Sequence, residues 1–286
     1  MAELTCIGEL LVDMISEEKS GLKDTEGFVK RPGGAPANVA VAASRMGAEV
    51  ELIASVGEDE FGDFLLDKIM AEDVDIGRVS EREESTTLAF ASLDADAEPH
   101  FSFYREADQH IGSEQLSGIE SDTVHVGSLP LTDEKTSENI FNLMQDLEAS
   151  VSFDPNLRPE LMSEGYRKRL EKMIEFTDIL FSTEEELEFF GGLEKIRDKV
   201  DEVVITRGAR GAEVYAEENV LKSEPPETDG VDTTGAGDAL TGAYLTFRVS
   251  EGLGREKALD LAVKSAAISI TDKGAMSALP FREDIE

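Results

Sequence analysis

The residue in this chain best suited to chemistry is an aspartate at the end of a polar, glycine-rich run. Val231-Asp232-Thr233-Thr234-Gly235-Ala236-Gly237-Asp238-Ala239 leads straight into a stretch of small and apolar residues that reads as a helix. Glycines permit φ > 0 and a close backbone approach, and the free N–H groups at a helix start make an anion site on the positive end of its dipole. A carboxylate at Asp238 is a poor ligand for phosphate. It makes sense as a base that accepts a proton from an attacking hydroxyl while a phosphoryl group moves beside it. Two other phosphate-binding patterns fit less well. A Walker A loop requires Gly-Lys-Ser/Thr, and the run has no lysine. A dinucleotide-binding turn begun at Gly235 would need a glycine where Leu240 stands and an apolar strand before it. The plain alternative is a glycine-rich turn with an aspartate cap.

Two other segments carry groups of the same kind. Gly33-Gly34-Ala35-Pro36-Ala37-Asn38-Val39-Ala40 opens a small-residue helix, and Asn38, one turn in, offers both donors and an acceptor to hydroxyl groups. Gly8-Glu9-Leu10-Leu11-Val12-Asp13 reads as the end of a first strand. Asp13 there would point toward a ligand cleft and could clamp two vicinal hydroxyls. The plain readings are tight helix packing and a solvated strand end.

Elements that position these residues follow from alternating short apolar runs and amphipathic stretches. LTCIGELLVDMI, VELIASVG, DTVHVGS, ASVSFDPN, DILFS and DEVVITRG read as strands, and TTLAFASLDAD with PHFSFYR as an antiparallel pair. Helices are expected over APANVAVAASRMG, closing at Gly47, and over EFGDFLLDKIMAE, capped by Asp59. EKTSENIFNLMQDLEA, EGYRKRLEKMIEF and two final helices near 236–250 and 255–272 complete the set. The pattern predicts an α/β fold, a mostly parallel central sheet with helices on both faces, in one domain over 1–286. The segments near 10–31 and 83–106 break the alternation and are expected to form a small β lid over the site.

Composition narrows the function. The chain has 286 residues with 40% hydrophobic content, enough for a substantial core. No apolar run approaches the ~18 residues of a membrane span, and the opening residues lack the features of a signal peptide. One cysteine and three dispersed histidines exclude a disulfide framework and a cysteine-based metal cage. Sixty-two acidic residues against 27 basic give a net charge of −35, spread along the chain. Such a surface repels nucleic acid and anionic membranes. It suggests a cytoplasmic protein working at high salt, where its self-repulsion is screened.

Taken together, GGAPANVA and DTTGAGDA, in that order and with GELLVD before them, resemble the two signatures of the ribokinase family, the PfkB-type carbohydrate kinases, and the resemblance runs from about residue 4 to 281. It implies ATP-dependent phosphorylation of a sugar hydroxyl, with Mg²⁺. By it, Asp238 is the base and Gly235, Ala236 and Gly237 form the anion hole. Asp13, Gly33, Gly34 and Asn38 line the sugar pocket, and Arg158, in Phe153-Asp154-Pro155-Asn156-Leu157-Arg158, sits near the transferred phosphate. Thr206, Gly208 and Gly211 contact the nucleotide, with Ala266 in an adenine wall. The family's Asn-x-x-Glu motif, which supports hydrated Mg²⁺, is altered here. One register places Glu186 and Thr183 in its slots; a shift by one gives Glu185 and Ser182. The first aligns Leu187 and Phe190 with apolar positions and is preferred. Asp232 with main-chain oxygens near 271–275 would hold K⁺, and a homodimer would form through the lid.

His100-Phe101-Ser102-Phe103-Tyr104-Arg105-Glu106-Ala107-Asp108 looks like a stretch of fructokinases, with Tyr104 and Arg105 on the sugar. In 2-keto-3-deoxygluconate kinases a Tyr-Arg pair here binds a carboxylate. The segment is poor in further cations, so fructose is the first expectation and the keto-deoxy acid the second. A catalytically silent sugar- or nucleotide-binding relative is a third reading, against which retention of Asp238 argues.

Overall fold

A computed structural model describes residues 2–18, 21–93 and 99–286. In chain order the strands are β1 (Leu4–Ile7), β2 (Leu11–Ser16), β3 (Phe28–Gly33), β4 (Val50–Ile53), β5 (Ser55–Gly57), β6 (Ser80–Arg82), β7 (Leu88–Leu93), β8 (Pro99–Tyr104), β9 (Thr123–Gly127), β10 (Ser150–Asp154), β11 (Ile179–Thr183), β12 (Glu202–Thr206), β13 (Ala212–Ala216) and β14 (Asn219–Ser223). The α-helices are α1 (Ala35–Arg45), α2 (Glu60–Met70), α3 (Glu134–Asp146), α4 (Glu164–Met173), α5 (Glu184–Phe189), α6 (Leu193–Arg197), α7 (Ala236–Leu245), α8 (Arg255–Ser269) and α9 (Arg282–Ile285).

The main sheet runs β14-β13-β12-β11-β10-β9-β1-β4, parallel from β4 to β12 and closed by the antiparallel β13–β14 hairpin. Neighbouring residues on its strands feed two different cores. Cys6, Leu52, Phe181 and Val204 pack under α1, α2, α7 and α8. Ile7, Ile53, Leu180 and Val203 pack under α3, α4 and α6. Both faces are therefore covered, as a parallel sheet requires. Asp59 caps α2 by accepting from Phe61 and Gly62 N–H groups, and Gly47, with φ at 104°, ends the first helix as expected.

A second sheet, β3-β2-β7-β8, has β2 and β7 parallel and the other pairs antiparallel. The antiparallel pairing of β7 with β8 follows the sequence reading; Asp94–Glu98, between them, lie outside the described residues. Three expectations need correction. LTCIGELLVDMI is not one strand. It leaves the main sheet after Ile7, and Leu11 begins a strand of the second sheet, so Asp13 belongs to that sheet and not to the carboxyl end of β1. The cause is a tight crossing at Gly8, where an added Cβ would come within 2.3 Å of Pro36 Cγ. VELIASVG likewise divides at Ala54 into β4 and β5, which pairs with β6. The helix expected over 236–250 is α-helical only to Leu245 and continues as a π turn over Thr246–Ser250.

Candidate active site

Gly235 caps the start of α7 with a φ of 80° that only glycine adopts readily, and an added Cβ there would meet Ala275 Cα at 2.8 Å. The turn is fixed by Asp232. Its Oδ1 accepts from the Thr234 N–H at 3.0 Å and its Oδ2 from the Gly274 N–H at 2.9 Å. Asp232 therefore ties the 232–238 turn to the 271–275 loop. Asp238 falls in the first turn of α7, 7% exposed, beside Gly237, whose surroundings are open.

Helix α1 delivers the partner. Gly33 and Gly34 lead into it, and a Cβ on them would come within 2.0 Å of Asp13 Oδ2 and 2.2 Å of the Glu9 carbonyl respectively. Asn38 Nδ2 donates to Asp238 Oδ2 at 2.8 Å, a buried bond spanning 200 residues. Burial pushes the Asp238 carboxyl up to about 6, against the Asn38 hydrogen bond and the charge of Arg158. Asp13 is pushed up to about 7, by burial first, with Arg158 opposing and Asp238 adding. Asp13, Gly33, Gly34, Asn38, Arg158 and Asp238 thus form one constellation.

The sequence reading quoted the 153–158 segment but gave a role in it to Arg158 alone, not to Asp154 and Asn156. Asp154 ends β10 and accepts from the Asn156 N–H at 2.9 Å, which holds Asn156 in the left-handed region at φ 35°. The Asn156 side chain then accepts from Arg158 Nη1 at 2.6 Å. Burial, then Glu186 and Asp238, raise the Asp154 carboxyl well above its ordinary value. An acid at the carboxyl end of a central strand was the signal available. Glu186 is the glutamate that faces this group. It accepts from Leu157 N–H at 2.8 Å and completes a capping box with Thr183 at the start of α5, while Glu185 is exposed.

Thr183 and Thr206 stand side by side at the ends of β11 and β12. The turn that follows uses Gly208 at φ 55° and Gly211 at φ 81°. It is braced by Arg207 on Glu184 and on Glu213, the latter at 2.8 Å. Ala266 lies on α8, partly buried against the core that α8 shares with α7.

Tyr104 and Arg105 do not join the constellation. Tyr104 is 66% exposed and packs edge-on to Phe90. Arg105 turns inward. Its Nε and Nη2 donate to buried Asp108, Nη1 donates to Thr132 Oγ1 at 2.6 Å, and Nη2 also reaches the Leu129 carbonyl. With all three nitrogens engaged, Arg105 anchors the end of β8 to the 129–132 turn that follows β9.

A buried carboxylate at a helix start, a facing amide and a nearby arginine are the parts a hydroxyl-to-phosphate transfer needs. Residues 1–282 match the pfkB family carbohydrate kinases, and the chain belongs to that family. It is 34% identical over 306 residues to fructokinase-1 of Oryza sativa, across 97% of this chain and 94% of that one. The ATP complex of an uncharacterised sugar kinase from Pyrococcus horikoshii matches 98% of this chain and 96% of its own at 32% identity, with a TM-score of 0.91. A Vibrio cholerae fructokinase with fructose, ADP and calcium bound matches at 28% identity and TM-score 0.85, over 98% and 96% of the two chains. Among the described residues no helix is long and apolar enough to cross a membrane.

Proposed function

We propose that this carbohydrate kinase transfers the γ-phosphoryl group of ATP to a hydroxyl of a neutral sugar, fructose, with Asp238 as base. The observation that carries the reading is the setting of Asp238. It is buried at the start of α7, bonded by Asn38 and faced by Arg158. Its raised pKa of about 6 makes it a better proton acceptor than a surface aspartate while leaving it ionised at neutral pH. Asn38 holds one carboxylate oxygen and leaves the other for the sugar hydroxyl. The main-chain N–H groups of Gly235–Gly237 and the Arg158 guanidinium would meet the charge spreading over the phosphoryl oxygens. Asp13, across from Gly33, would orient neighbouring hydroxyls. The second sheet, joined to this site by β2 and β3, would serve as its lid.

Fructose over an anionic acceptor follows from charge. Arg158 is the cation acting on Asp13, Asp154 and Asp238 together, and Arg105 is spent on Asp108. A sugar-acid carboxylate would enter a site with more anions than cations. Asp154 and Glu186 provide the hard oxygen donors that suit hydrated Mg²⁺, and these two carboxylates would hold it. Bound with ATP, Mg²⁺ supplies charge neutralisation at the phosphates.

The test is a turnover screen with ATP and Mg²⁺ in high KCl against fructose, 2-keto-3-deoxygluconate, ribose and adenosine. Fructose should give the highest kcat/KM. A keto-deoxy acid turned over at about tenfold greater efficiency, a 1.4 kcal/mol preference, would overturn the neutral-sugar assignment.

A further inference from the structure

Three buried side-chain oxygens gather beyond the carboxyl ends of β1 and β9 without a partner in hydrogen-bond geometry: Glu9 Oε2, Ser128 Oγ and Tyr166 Oη. Glu9 and Ser128 are almost fully buried and Tyr166 is completely so. They come from three separate elements. Glu9 lies in the Gly8–Leu10 crossing, Ser128 follows β9, and Tyr166 reaches in from α4. The Ser128 hydroxyl is close enough to Tyr166 to ease its ionisation, and the charges of Glu9, Arg105 and Arg158 all act on the Tyr166 ring hydroxyl. Arg105 and Asp108 act in turn on Glu9. Burying unpaired polar groups is costly, and an apolar core would fill the same space without that cost. Three in one place, bordered by two arginines, therefore ask for a functional explanation.

The second carboxylate oxygen of Glu9 supplies it. Glu9 Oε1 accepts from the Ala35 N–H at 3.0 Å, at the first residue of α1 and three residues before Asn38. On the other side lies the Arg105–Asp108 pair. Asp108 also accepts from Thr87, the residue before β7, and Thr87 Oγ1 accepts from the Glu106 N–H. Both ends of the β7–β8 hairpin are thus tied to the Arg105–Asp108 pair, whose charges act on Glu9.

We propose that Glu9, Ser128 and Tyr166 are positioning residues for the acceptor site, a buried polar joint that fixes the first turn of α1, and so the Asn38–Asp238 contact, relative to the anchored second sheet. None of them touches the sugar. Their effect reaches it through Asn38 and through the pose of β2, which carries Asp13. The proposal rests on the reading of Asp238 as base. It goes beyond it by assigning control of acceptor binding to residues outside the pocket. Burial pushes the Glu9 carboxyl up to about 7, with Asp108 adding and Arg105 opposing.

The experiment compares Glu9→Ala, Glu9→Gln and Tyr166→Phe with wild type and with Asp238→Asn, each measured for sugar KM, ATP KM, kcat and Tm. Glu9→Ala should raise the sugar KM about 10- to 100-fold, the scale of a small misplacement of reacting groups, with ATP KM nearly unchanged. Glu9→Gln keeps both the shape and the acceptor for Ala35, and should restore most of that loss. Tyr166→Phe removes one oxygen without opening a large cavity and should raise the sugar KM with kcat less affected. It keeps the proposal testable if Glu9→Ala does not fold. A lowered Tm with unchanged sugar KM in the Glu9 and Tyr166 variants would overturn the proposal and leave the cluster a purely structural feature. Near-wild-type turnover of Asp238→Asn would instead remove the base assignment, and with it the site this joint is meant to position.

Discussion

Asp238 pays for its reactivity in stability, and that trade can be measured. Its folded-state pKa of about 6 stands above the ordinary 3.8 because burial disfavours the charge. Between those values the native state holds a proton that the unfolded chain has released. The contribution of this group to stability is therefore full below about 3.8 and is lost as pH rises through about 6. Asp238→Asn removes the buried charge. The variant should melt above wild type at pH 8, and the difference should vanish near pH 4, as thermal melts at the two pH values will show. The same substitution should lower kcat by ~10²–10⁴, the range for loss of a general base, with little change in sugar or ATP affinity. Wild-type kcat/KM should fall as pH drops through about 6, where the carboxyl becomes protonated and cannot accept the sugar proton. A variant that is more stable and inactive separates a strained catalytic group from a turn cap; one that stays active marks the cap.

Helices α1 and α7 cross so closely that their spacing sets the Asn38–Asp238 bond. Gly242 lies at the crossing. A Cβ there would meet Ala42 Cβ at 2.6 Å and the Val39 carbonyl at 2.8 Å, and neither helix can yield without moving the other. Gly242→Ala should cost about 1–3 kcal/mol, as overpacking does, and should lower kcat by lengthening the 2.8 Å contact one turn away. Denaturant melts and turnover of the same preparation check both, and wild-type turnover in a destabilised variant would separate packing from catalysis. The sequence showed that two small-residue helices lie near two glycine-rich turns, because glycine and aspartate carry their reasons locally. It could not show that the first apolar run changes sheets at Gly8, since that break depends on Pro36, 28 positions away. Nor could it orient Arg105. The partners that turn this arginine inward include Thr132 and Leu129, which only the fold brings near. The β13–β14 hairpin escaped for a related reason: five-residue strands with partly polar faces gain their stability from the sheet edge they join. Asp154 was legible by the reasoning applied to Asp13, and that reasoning placed Asp13 on the wrong strand.

At the scale of the whole molecule, pairing cannot resolve the charge. Twenty-seven cations against 62 anions leave 35 acids without a basic partner even if every cation pairs with one. Some cations are doubled on a single acid, as where Arg248 and Arg255 both hold Glu202 at the start of β12, which leaves still more acids unpaired. The remaining repulsion acts across the surface over the Debye distance, ~30 Å at 0.01 M and ~3 Å at 1 M salt. Folding brings these charges closer than they are in the open chain, so Tm should climb steeply with KCl and level off near molar concentration. A Tm flat across that range would show that the acids are spaced widely enough not to interact. Screening alone treats KCl and NaCl alike, which isolates a second effect at Asp232. This carboxylate already joins the Thr234 and Gly274 N–H groups, where the Gly235 turn presses on Ala275, so an ion held there with neighbouring main-chain oxygens would stiffen the anion hole. Activity should then be higher in KCl than in NaCl at equal ionic strength, while Tm is similar in the two. The difference should disappear in Asp232→Ala. Equal wild-type activity in both salts would leave Asp232 as the clasp between two loops, and a rise of Tm with salt would then be due to net charge alone.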